Sequence, residues 1–220
     1  MFSFPFLLTL YAGFTHAFEA DHLLAVGSIV SSRNNVRMSL RDGIFWGLGH
    51  ASTILFIGLI MIILKVSVPG KYFHYFEATV GCMLIVLAVY RLIKFYQNKK
   101  ISSAKPHYHL QIANSDEQPQ CHSHSLAYGV GLVHGLAGSG ALVAIVMSQM
   151  KGPADGLTYL LLFATACIGG MMLAAGLFSF PFSKRKMQAR LLQQLLIIAS
   201  SALCVLYGSK VIYENLIVSY

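Results

Sequence analysis

The sequence predicts an all-α polytopic membrane protein: six transmembrane helices arranged as two inverted three-helix repeats. Three observations carry this reading. Apolar types make up 56% of the 220 residues and charged types only 11%, with a mean hydropathy of +0.64; soluble domains carry about a quarter charged residues. The apolar residues gather into six runs, 4–30, 43–66, 73–95, 126–150, 157–178 and 191–212, each near the roughly 20 residues a helix needs to cross hydrocarbon. The runs are apolar all round with little period-two alternation, which favours helices over a barrel.

The first run has no basic leading region and no small-x-small cleavage pattern after Ala17. It therefore reads as a span and not as a signal peptide. It is interrupted by HAFEADH, residues 16–22, which holds His16, Glu19, Asp21 and His22. An ionised carboxylate at the centre of a membrane helix costs about 2.5–3.5 kcal/mol on insertion scales, so these groups must face the bundle interior and have partners. At about 100° per residue, His16, Glu19 and His22 follow one face in i, i+3 steps and Asp21 falls on another. Two arrangements satisfy this. Either Asp21 is a partner for a ligating ring or a neighbouring helix, or the helix is broken and its ligands converge, as in the discontinuous helices of transporters. Gly13 and Gly27 permit some deformation. Imidazole and carboxylate together suit divalent first-row metals such as nickel, cobalt, zinc and copper, and a carboxylate beside a metal-bound histidine fixes its tautomer. The plainer alternative is an internal ion pair locking helices together.

The second run carries FWGLGHAST, with His50 the candidate third nitrogen ligand; its plainer role is a hydrogen bond to a neighbouring helix. The third run opens near Glu77, at the interface. Residues 97–125 form the one long connection, rich in Lys, Pro, Ser, Asn and Gln and holding His107, His109, His122 and His124. It reads as a flexible loop between a first repeat, 1–96, and a second, 126–220. Its histidine pairs chelate metal weakly or are simply solvated. The fourth run carries GLVHGLAGSGAL. There His134 either lines or ligates the same site, or sits among Gly135, Gly138 and Gly140 for tight packing alone. In the fifth run, Met171 and Met172 read as packing or lipid-facing residues. Cys82, Cys121, Cys167 and Cys204 form no CxxC pair, so no disulfide framework or zinc ribbon is expected.

The two halves match at a constant offset of 118: Gly13 meets Gly131, His16 meets His134 and Leu24 meets Leu142. Three spans is an odd number, so the second half would be inverted, with a binding site at the repeat interface. The competing explanation is that Gly, Ala and Leu dominate any membrane helix. The net charge of +8 is a topology signal and not a nucleic-acid footprint. Twelve of the Lys and Arg residues fall on the side of the 1–2, 3–4 and 5–6 loops, and only Lys65, Lys71, Lys151 and Lys210 on the other. The positive-inside rule puts those three loops in the cytoplasm and both termini outside it, with anionic lipid as a neighbour.

These residues resemble a family. HAFEADH fits the His-x4-Asp-His pattern of the nickel/cobalt transporter family at His16, Asp21 and His22, and LGHASTI, with His50, is similar to that family's second-span segment. The six-span form and GLVHGLAGSGAL resemble its UreH-type urease-accessory branch, near the nickel-cobalt efflux permeases. The sequence departs from the family at Thr15, where a basic residue is usual, and at Glu19, where Asp is usual; the further acidic motifs of eight-span members are missing. The resemblance implies a multi-pass transporter in a bacterial inner membrane, with Ni2+ or Co2+ as transported substrate and no resident cofactor. His16, His22, His50 and His134 would supply nitrogen, and Glu19 and Asp21 negative charge.

No G-x4-GK[ST] occurs, so transport would be secondary or driven by the membrane potential, worth about 2.3 kcal/mol per charge per 100 mV. No HExxH occurs, and no enzymatic activity is expected. The partners implied are the metal ion, membrane lipid, cytoplasmic nickel chaperones and a second copy of the chain; nucleic acid is excluded. The rival readings are a membrane haem protein ligated by His16, His50 and His134, an intramembrane metallo-enzyme, and a proton-coupled permease for a non-metal substrate.

Overall fold

A computed structural model describes residues 4–31, 35–64, 70–103, 123–148, 152–180 and 190–218. Every regular element among them is helical: α1 Phe4–His16, α2 Ala20–Val30, α3 Val36–Leu64, α4 Gly70–Ser103, α5 Ser123–Ser148, α6 Pro153–Ser179 and α7 Arg190–Tyr213, the last running into a π-helical turn, Glu214–Val218. Stretches of Val36–Leu64, Tyr72–Gln97, Pro153–Ser179 and Gln194–Val218 are each long and apolar enough to cross a membrane. A helix satisfies all its backbone groups internally, which is what hydrocarbon demands. Large apolar side chains such as Phe56, Ile63, Val86 and Leu206 stand exposed on the outside. That is unfavourable in water and ordinary in lipid. The chain is a helical membrane protein.

The first predicted span is not one helix. α1 ends at His16, and Glu19 is extended, with φ −64° and ψ 155°. The turn is closed by hydrogen bonds from Phe18 N–H to the Thr15 carbonyl (2.9 Å) and from Glu19 N–H to the His16 carbonyl (3.1 Å), and α2 resumes with Leu23 N–H on the Glu19 carbonyl (2.9 Å). Irregular backbone at membrane depth is tolerated only where protein surrounds it. Ala17 is fully buried and lies over Gly170 of α6, where an added Cβ would come within 2.7 Å of the Ala17 Cβ. Of the two arrangements open from sequence, the chain adopts the broken helix.

α4 continues to Ser103, inside the segment expected to be loop, and His124 belongs to the first turn of α5. His107, His109 and His122 lie outside the described residues, as do Arg33, Lys105, Lys184, Arg185 and Lys186 of the basic loops.

Small residues set the helix packing. α3 lies against both α5 and α6, α1 against α6, and α4 against α7. Along α3 and α5 the backbones touch: a Cβ on Gly131 would collide with the Trp46 carbonyl oxygen. One on Gly135 would come within 2.7 Å of both the His50 carbonyl oxygen and the Thr53 Cβ. Thr53 Oγ1 donates across the same seam to the Leu132 carbonyl at 3.0 Å. Cys167 Sγ donates to the Gly13 carbonyl at 3.1 Å across the α1–α6 seam. Lipid is as apolar as leucine, so close backbone approach and such interhelical bonds, not hydrophobic burial, hold the helices together.

Gly135→Leu is expected to destabilise the protein by at least about 1–3 kcal/mol, the usual range for overpacking. Gly129→Ala adds its methyl where nothing lies within 4 Å and should be neutral. Thermal unfolding of the two variants in the same detergent measures the contrast.

Candidate metal centre

The break between α1 and α2 builds the site. In a continuous helix His16 and His22 would stand six residues apart, about 9 Å along the axis. The break brings their rings to a centroid distance of 4.6 Å. α3 supplies His50, whose ring lies 5.3 Å from both His16 and His22. α5 supplies His134, 4.6 Å from His22. His50 and His134 reach the same place because Gly131 and Gly135 let α5 sit directly on α3. Trp46, one turn before His50, closes one side, 5.5 Å from His22 and 5.8 Å from His134. Phe163 of α6 closes another, 5.7 Å from His16.

All four imidazoles are buried. The two acids divide differently from the ideal-helix reading, which put Glu19 with the histidines and Asp21 apart. Asp21 turns inward: its Oδ1 is 3.0 Å from His22 Nδ1 and its Oδ2 3.6 Å from His134 Nε2. Glu19 keeps its Oε1 2.9 Å from His16 Nδ1, but its side chain is 57% exposed. The physical reason is the extended residue at Glu19, which resets the helical phase of everything after it. The His16–Glu19 pair is close without being aligned as a hydrogen bond, for His16 Nδ1 counts among the buried nitrogens lacking a partner.

Unsatisfied nitrogen is the dominant property of the site. His16 Nε2, His22 Nε2 and both ring nitrogens of His50 and of His134 are buried without a hydrogen-bond partner. A buried polar group left unpaired costs about 1–3 kcal/mol, so a cluster of them asks for a ligand. The donor atoms are spaced for one. His16, His22 and His50 form one group, and Asp21, His22 and His134 a second, each with its ligand atoms within 4.8 Å of one another. His22 follows the carboxylate–histidine pattern, with Asp21 on Nδ1 and Nε2 left for a metal. Neutral nitrogen with one carboxylate is a donor set for nickel, cobalt, zinc or copper, not for magnesium or calcium.

No protein-family model and no solved structure matches the chain. The urease accessory protein UreH of Bacillus sp. (strain TB-90) is 31% identical to it over 171 residues, covering 78% of this chain and 74% of that protein. The chain belongs to the UreH family.

In this UreH-family chain the structure brings five of the six sequence candidates to one point, His16, Asp21, His22, His50 and His134, and leaves Glu19 at the rim. The sequence reading overlooked Asp42. That carboxylate is buried near the start of α3 and pairs with His124 Nδ1 at 2.8 Å, and the His124 ring stacks on Phe45 at 5.0 Å. The available signal was spacing: Asp42, Trp46 and His50 follow one another at intervals of four, the stripe of a single helix face. His124 had been counted with the flexible loop, whereas it pins the first turn of α5 to α3.

Asp42→Ala removes that tie and is expected to cost about 1.5–3 kcal/mol, the range for a hydrogen bond to a charged group. Hydrogen exchange should report faster opening in the first turns of α5, with protection around His50 retained.

Proposed function

We propose that this protein is a permease that moves a divalent transition-metal cation, Ni2+ or Co2+, across a bacterial inner membrane. One observation carries the reading: four buried imidazoles with unpartnered ring nitrogens converge on one carboxylate inside a membrane helix bundle. A cation at about 2.0–2.1 Å from such nitrogens satisfies groups that lipid and protein leave unsatisfied. The His-x4-Asp-His resemblance supports nickel or cobalt as cargo, and the relative's name ties that protein to urease. His16, His22, His50 and His134 then bind the cation, Asp21 offsets part of its charge and holds His22, and Glu19 orients His16 from the rim.

The rest of the proposal concerns architecture. The broken α1–α2 pair forms the first of six spans, and the two halves are inverted repeats flanking the 97–125 connection. In support, the offset of 118 carries 4–30 onto 122–148 against α5 at Ser123–Ser148, and 36–64 onto 154–182 against α6 at Pro153–Ser179. It carries 70–102 onto 188–220, against α7 and its π-helical turn. Exchanging the halves also exchanges the α1–α6 seam for the α5–α3 seam, and both are packed. The basic loops are cytoplasmic and both termini lie outside. Cytoplasmic metal chaperones and a second copy of the chain are the proposed partners.

A membrane haem protein fits the geometry poorly. Imidazoles in contact at 4.6–5.3 Å leave no slot for a macrocycle between them.

Flux of radioactive Ni2+ in proteoliposomes of known orientation is the test. Wild-type protein is expected to carry Ni2+ well above the rate of empty vesicles. His16→Ala and Asp21→Asn should each lower the rate at least tenfold while inserting normally. Unchanged flux in both variants would remove the site from the proposal, and flux in neither direction by wild type would remove the function.

A further inference from the structure

We infer that the buried cluster holds its cation in two overlapping positions that share His22, and that the ion moves between them by exchanging one pair of ligands for another. This rests on the metal-site reading above and concerns how that site works.

The geometry separates two stations. The first is His16, His22 and His50; the second is Asp21, His22 and His134. Donors of one ion at about 2.0–2.1 Å can be no more than about 4.2 Å apart. Each trio is within 4.8 Å internally, so it closes on an ion through a shift of a few tenths of an ångström. Among the described residues no single group unites His16 or His50 with Asp21 or His134 at that spacing. The ring contacts agree: His22 touches His16, His50 and His134. His22 is the hub, and the other ligands stand on either side of it.

The stations differ in chemistry. The first is three neutral imidazoles walled by Phe163, and a divalent ion there keeps its full charge. The second includes a carboxylate, so the ion's charge is partly offset where low dielectric makes charge costly. Asp21 is 21% exposed, while the side chains of His16, His22 and His134 are at most 3% exposed. An ion passing from one to the other never loses His22, so it is never stripped of all its ligands. The donors also come from different elements: His50 is on α3, His134 on α5, and His22 on α2. A small relative movement of α2 against the α3–α5 pair is enough to favour one trio over the other.

The test uses full-length protein in detergent and in proteoliposomes, with Co2+ as an optical probe of ligand type and Ni2+ for flux. Wild type is expected to bind one Co2+, because two divalent ions cannot share His22. His50→Ala and His134→Ala should each still bind one Co2+, weakened no more than about tenfold. Their visible spectra should differ from each other, His134→Ala giving the all-nitrogen form. His22→Ala should weaken binding at least a hundredfold. Both His50→Ala and His134→Ala should lose Ni2+ flux at least tenfold, because each keeps one station and loses the exchange. His50→Gln and His134→Gln, which keep a polar side chain in place, guard against misfolding and should behave as the alanine variants do. The inference is overturned if His50→Ala and His134→Ala both abolish binding as fully as His22→Ala, which indicates one undivided site. It is overturned equally if either variant retains full flux. Absence of any Co2+ or Ni2+ binding by wild type would instead sink the metal-site reading itself.

Discussion

Polar groups buried where neither water nor lipid can pair with them must be paired by something else, and this constraint organises the molecule. Four imidazoles meet in the interior with most of their ring nitrogens unpaired. A soluble protein could admit water to such a cluster. A bundle whose outer surface is largely apolar has fewer means of doing so, and among the described residues only Asp21 enters the cluster, with Glu19 meeting His16 from the rim. On the proposed function, the unfavourable free energy of that arrangement is what a bound cation would relieve. Burial of this kind does not help the empty protein fold.

The packing that makes the cluster possible is itself unusual in its demands. His50 and His134 approach the same point because α3 and α5 lie backbone to backbone, with Gly131 on the Trp46 carbonyl and Gly135 on the His50 carbonyl. Any side chain at either glycine would spread the helices and pull His134 away from His22. The same seam carries the Asp42–His124 pair near its end. Glycines, a threonine-to-carbonyl bond and a terminal ion pair thus fix the register of one helix on another, and the register fixes which imidazoles meet.

Much of this was legible in the sequence, and the remainder was hidden for identifiable reasons. Helical spans are readable because hydrocarbon imposes length and apolarity together, and both appear in composition alone. His16, His22, His50 and His134 are readable because a charged or titratable residue in such a run requires a reason to be there. The break at Glu19 is legible only as one of two arrangements. HAFEADH contains neither proline nor glycine, and a residue turns extended there because the surrounding helices leave room at Gly170 and offer the carboxylates buried or rim-side imidazoles. On an unbroken helix, ideal angles put Glu19 inside and Asp21 elsewhere, the reverse of their positions. Asp42 escaped for a different reason: it lies at the edge of an apolar run beside Arg41, where an acid looks like ordinary interfacial charge. Only its spacing from Trp46 and His50 distinguishes it.

The proposed repeat is symmetric in its helices and asymmetric in its chemistry. At the offset of 118, His16 corresponds to His134, but His22 corresponds to Gly140, Ala20 to Gly138 and His50 to Ile168. The first half therefore keeps nearly the whole donor set and the broken helix, while the second contributes one imidazole on a continuous helix, α5. Two matched half-sites would grip a cation equally from both sides and gain nothing from sliding past each other. In the proposed carrier, one rich half and one poor half do gain, because α3 and α5 are locked together backbone to backbone while His22 and Asp21 ride on α2. Moving α2 against the α3–α5 pair would shift His22 between His50 and His134, and so turn a rigid-body displacement into a change of ligand set.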